Sequence, residues 1–157
     1  KKGLFSLEDL EINVPMIGAF AKTLEILEDK FEHYCMEVAR LRDYFEKRLL
    51  ETIPGMELLF SKVERSPDCA VVAFPGICSE SLLFLLNAKG VYASIGKGRL
   101  QSLQELLEKI GFSRAIASSA LHFSLPYEVT EEELDRAIAS IGACVQQLKN
   151  CRGDIHV

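Results

Sequence analysis

The run Ser94-Ile95-Gly96-Lys97-Gly98-Arg99 places two cations around a glycine, between a short apolar segment and the start of a helical pattern. In such a loop, backbone N–H groups and a side-chain cation can converge on an anion. A flexible, solvated loop is the plainer alternative. The run is not a Walker loop, since Gly-Lys-Gly lacks that motif's spacing and hydroxyl. His122 lies two residues before Ser124 on the polar face of an apolar strand pattern. An imidazole there can bind a carboxylate or move a proton, or it can be a partly buried structural residue. Cys78 precedes a helix start, where a thiol ionises more readily; a small residue packed under the turn is the alternative. His33 and His156 have no evident partner. The acidic run Glu131-Glu132-Glu133 suits a helix N-terminus and its dipole and is not read as catalytic.

These residues sit in a chain of 157 residues, 48% hydrophobic and 26% charged, with a net charge of −5. That is enough for one domain with a substantial core. The acidic balance, with no basic run beyond Lys1-Lys2, points away from nucleic acid and anionic membranes. The longest apolar runs are too short to cross a bilayer. Five cysteines stand at positions 35, 69, 78, 144 and 151, an odd number with no Cys-x-x-Cys pair and no zinc spacing. Reduced thiols in a cytoplasmic protein, without metal, are expected. The chain opens Lys1-Lys2-Gly3 without a methionine, as a fragment of something longer would.

Residues 1–12 show no clear period and read as a linker or arm. Asn13 is a suitable N-cap, with Pro15 in the first turn. Ile17, Phe20, Leu24, Leu27, Phe31, Tyr34, Val38, Leu41, Phe45 and Leu49 then recur at helical spacing until Pro54-Gly55. So long a helix is expected to break near Glu28-Asp29-Lys30. Four strands are expected at 56–60, 69–74, 91–94 and 120–125. Between them, helices are expected from a Ser79 cap to Gly90 and over 101–110. Thr130 and Glu133 form a capping box ahead of Leu134, Ile138, Ile141, Val145 and Leu148. Residues 150–157 read as a tail. The whole is an α/β (α+β) arrangement over 13–149, with a long N-terminal helix and a small mixed or mainly antiparallel sheet covered on one face by helices.

Several short motifs occur in a fixed order: Asn13-Val14-Pro15, Arg65 and Pro67 before the 69–74 strand, and Ser79-Glu80 with Leu82-Leu83. Gly111-Phe112, the 118–125 run Ser-Ser-Ala-Leu-His-Phe-Ser-Leu and Thr130-Glu131-Glu132-Glu133-Leu134-Asp135 follow. In this order and spacing they resemble the small C-terminal domain of the cysteine desulfurases (NifS-like), pyridoxal-phosphate enzymes of fold type I in the class V aminotransferase group. The resemblance covers about 13–149. It implies a missing large domain carrying the cofactor lysine, a homodimer when that domain is present, and a sulfur-acceptor protein as a further partner. No cofactor-binding residue is assigned in this chain.

The resemblance breaks at the chemistry. The family's Ser-x-Gly-x-x-Cys loop presents a nucleophilic cysteine, and Arg99 takes that place, with no cysteine anywhere over 79–143. A guanidinium is not a sulfur nucleophile. The family's substrate-carboxylate arginine corresponds to His122, which lacks the bidentate fork. Glu11 replaces the family's phosphate-site threonine, where a carboxylate is repulsive. The expectation is a domain of a desulfurase-like protein with its catalytic cysteine and substrate arginine replaced, and Arg99, His122 and Lys97 as candidate substrate-binding residues. A non-catalytic dimerisation or partner-docking module is the alternative.

Overall fold

A computed structural model describes residues 13–28, 30–96 and 102–153, apart from side-chain detail at 152 and 153. It divides into two compact units, 1–34 and 35–157. In the first unit, helix α1 (Val14–Glu28) starts where Asn13 caps it. The Met16 N–H donates to Asn13 Oδ1 at 3.0 Å. The expected break follows α1, and helix α2 (Phe31–Thr52) begins beyond it. No residue of α1 is buried, so the apolar stripe becomes core only in the second half of its length. Val38, Leu41, Phe45 and Leu49 are buried, whereas Ile17, Phe20, Leu24 and Phe31 are exposed.

The second unit holds a three-stranded antiparallel sheet in the order β1 (Glu57–Leu59), β2 (Cys69–Ala73), β3 (Ala120–Ser124). Alternation along β2 and β3 decides what each face covers. Ala70, Val72, Leu121 and Phe123 point to one face and join the main core, which takes its helical side from α2, α3 (Ser79–Ala88) and α6 (Glu131–Gly153). Phe45 meets Phe123 edge-on at 5.4 Å between ring centroids. The opposite face carries a smaller cluster of Leu59, Ala73 and Ala120 against Leu107 of α4 (Leu103–Lys109) and Ala117 of α5 (Arg114–Ala117). That cluster covers the end of the sheet at the Ala73–Ala120 pair. The end at Cys69, His122 and Ser124 is left half-buried or exposed.

The mixed α/β class is the expected one, with corrections in detail. Helices lie on both faces of the sheet, α2, α3 and α6 on one and α4 and α5 on the other, where one covered face was expected. The 91–94 segment is not a sheet strand; it makes one bridge, Ser94 to His122. Its first residue is claimed by α3, since Val91 N–H donates to Leu86 O at 3.0 Å. Cys78, not Ser79, is the N-cap of α3. Gly90 closes α3 with φ of +75°, a conformation that favours glycine. The capping box of α6 forms as expected: Glu133 N–H donates to Thr130 Oγ1 at 3.2 Å, and Thr130 N–H donates to Glu133 Oε2 at 2.9 Å. The helix runs past Lys149 to Gly153.

Candidate functional site

His122 projects from β3 on the second face, at the end away from Leu107 and Ala117. Its backbone exchanges hydrogen bonds with Ser94, at 2.8 and 2.9 Å. This fastens the strand to the stem of the loop that carries Lys97 and Arg99. Gly96 turns that stem with φ of +64°, and its N–H donates to Ser94 Oγ at 3.0 Å. On the far side, Leu103 N–H donates to Ile95 O at 2.9 Å, so the two stems of the loop are tied together. Lys97 and Arg99, like Glu11, lie outside the described residues. The described stems, Ser94 to Gly96 and Ser102 to Leu103, are thus tied to β3 and to each other.

A residue the sequence did not single out completes the described part of the site. Cys69 of β2 sits diagonally across from His122, in a register that pairs Val71 with His122 and Cys69 with Ser124. Diagonal neighbours on one face are within reach of long side chains. Here His122 Nε2 lies 3.3 Å from Cys69 Sγ. Asp68 Oδ1 is 3.6 Å from the same sulfur and accepts from the Ser66 hydroxyl. That hydroxyl, above all, holds the Asp68 carboxyl below its ordinary range. Burial first, and then the Asp68 charge, push the Cys69 thiol up. Arg65 anchors the entrance to β2. Its guanidinium forks onto Glu46 and also donates to the Cys69 carbonyl at 3.3 Å.

The other candidates fall elsewhere. Cys78 lines a cavity of about 500 Å³ with Gly76, Ile77, Ser81, Ala115, Ser118, Leu148 and Cys151. The Ser81 backbone N–H, helped by its hydroxyl and the Glu80 N–H, draws the Cys78 thiol below its ordinary range. The Cys78 side chain nevertheless makes no cap hydrogen bond to the helix. Cys144 is fully buried, and burial pushes its thiol up. Iodoacetamide at neutral pH is therefore expected to modify Cys78 well before Cys144, since the thiolate is the nucleophile. Peptide mass spectrometry reads the order, and modification of Cys144 first would contradict it. Glu131 pairs with Arg40 of α2, a structural use of the acidic run. His33 is exposed on α2. All five cysteines are free. Among the described residues no group of three or more His, Cys, Asp or Glu could hold a metal ion, and no helix is long and apolar enough to cross a membrane.

No family model matches the chain. It is 32% identical over 143 residues to the cysteine desulfurase of Sinorhizobium fredii, covering 89% of this chain and 37% of that protein. It is 35% identical over 141 residues to the cysteine desulfurase IscS of Methanosarcina thermophila, covering 88% of this chain and 35% of that one. Among solved structures, a NifS-like protein superposes with a TM-score of 0.77 at 26% identity, over 89% of this chain and 36% of that chain. The chain thus spans little more than a third of the length of the relatives it matches. Sequence identity, the superposition and this partial span agree on one assignment: the chain is a small domain of the NifS-like cysteine desulfurase family.

Proposed function

We propose that this domain belongs to a desulfurase-like protein that no longer performs the sulfur step at its 94–100 loop, and that the site now binds a small anion. The observation that supports this reading is the pairing of Ser94, three residues before Lys97, with His122. A permanent cation stands where the family has a thiol, and a titratable base where it has a carboxylate clamp. Arg99 supplies the charge-assisted contact that His122 cannot make alone, with Lys97 adding field. A carboxylate or phosphate is the ligand class this set fits, and binding should weaken as salt rises.

Pyridoxal phosphate is the cofactor this family assignment implies for the parent protein. The residues described here do not fit it. The 500 Å³ cavity and its neighbour of about 370 Å³ are lined without a lysine or an arginine. Cofactor binding is left to the rest of the parent protein, since this chain spans little more than a third of its relatives' length. The parent could then act on another amino-acid substrate. The second reading, a non-catalytic module for dimerisation or for docking a sulfur-accepting protein, draws support from the exposed apolar residues of α1. A Ser-x-His-Lys lysine in the parent favours the first reading, and its absence the second.

Replacing Arg99 with alanine tests the anion site. In a titration with inorganic phosphate or a small carboxylate, the change is expected to weaken binding by about 1.5–3 kcal/mol, the range for a charged hydrogen bond in a shielded pocket. Binding that survives the change undiminished would leave simple loss of the old site as the better account.

A further inference from the structure

We propose that Cys69 and His122 form a thiol–imidazole pair that exchanges with organic disulfides at the end of the sheet that α4 and α5 leave free. The pair has the geometry of a nucleophile and its base. Sγ and Nε2 are 3.3 Å apart, within hydrogen-bond reach for sulfur. Both residues belong to adjacent hydrogen-bonded strands, so the sheet fixes their separation. Both are half-buried, and both lie away from the end of that face which Leu107 and Ala117 cover.

Burial and Asp68 keep the proton on Sγ at rest, so an attacking thiolate has to be made on demand. The proton passes from Sγ to Nε2 as Sγ attacks one sulfur of the incoming disulfide. A new Sγ–S bond forms while the old S–S bond breaks. The departing sulfur leaves with the electron pair and takes the proton back from Nε2. One thiol and one disulfide become one mixed disulfide and one free thiol, so no external oxidant or reductant is needed. His122 serves first as base and then as acid. The reaction shares His122 with the proposed anion site but draws on neither Arg99 nor a cofactor, so disulfide exchange is read separately from anion binding. Asp68 opposes the transient negative sulfur, which makes a neutral or cationic disulfide the fitting class.

The test uses the 157-residue chain and the neutral disulfide 4,4′-dithiodipyridine, whose released thiopyridone absorbs light. A variant with Cys35, Cys78 and Cys151 changed to serine leaves Cys69 and the buried Cys144. Cys69 is expected to react faster than Cys35, also half-buried, measured in the matching variant that keeps Cys35 instead. His122→Gln is expected to slow Cys69 by about a hundredfold, the scale of a lost general base. Asp68→Asn is expected to speed it severalfold. The direction guards against a merely structural effect, because unfolding would expose Cys69 and accelerate it. Cys69 reacting no faster than Cys35, or a His122→Gln rate equal to or above the parent rate, would overturn the proposal.

Discussion

Replacing Glu46 with glutamine is expected to cost the fold about 3–5 kcal/mol, the scale for breaking one side of a buried ion pair. Glu46 accepts from Arg65 Nη1 at 2.6 Å and Nη2 at 2.8 Å, a bidentate fork. The two side chains are 8% and 13% exposed, so water cannot replace what is lost. Glutamine keeps the shape but not the charge, and the guanidinium is left buried without its counterion. Arg65 also holds the Cys69 carbonyl, so the loss reaches the start of β2 and the site beside it. Urea unfolding followed by circular dichroism measures the effect. A loss near 0.5 kcal/mol would mean that the pair is solvated like an ordinary surface bridge. Changing both residues to methionine is expected to recover much of the loss, since buried ion pairs often give way to apolar residues of similar size.

Leu121→Ala is expected to cost about 2–5 kcal/mol. Leu121 is fully buried on the core face of β3, directly opposite Val72. Truncation there leaves a void among residues of α2, α3 and α6 that already interlock. Phe84→Ala is the control. Phe84 is 74% exposed, and its loss is expected to stay within about 0.5 kcal/mol. Equal effects from the two changes would contradict the assignment of the core to that face of the sheet.

The sequence showed those elements whose signals are local. Asn13 as a cap, the break before α2, Gly90 after α3 and the Thr130–Glu133 box each depend on a few neighbouring residues, and each forms as expected. Readings that depended on distant partners fared differently. The 91–94 segment has strand composition, but Val91 is bonded back to α3 and Ile95 to the start of α4, and the segment's one bridge to the sheet is at Ser94. The stripe on α1 and α2 has one continuous period, yet periodicity does not say where along it the core begins. The short helix α5 rests on Ser113 Oγ accepting from Ile116 N–H, a signal too brief to separate from a turn. His122 was legible as a polar residue in an apolar strand. Its partner Cys69 was not, because the two are 53 residues apart and only the strand register brings them together. A signal existed in the alternation of β2, which puts Cys69 on the face opposite Ala70 and Val72. Using it required knowing that β2 and β3 are neighbours.

The central claim is that the sulfur step has been lost from the 94–100 loop, where Arg99 stands in place of a cysteine. The most direct measurement is sulfide release from cysteine in the presence of a thiol reductant, made on the parent protein supplied with pyridoxal phosphate and on this chain. The account predicts release no greater than the no-protein background for both. Reproducible release that disappears when Cys69, Cys78 or Cys144 is replaced would contradict it and move the nucleophile to that residue.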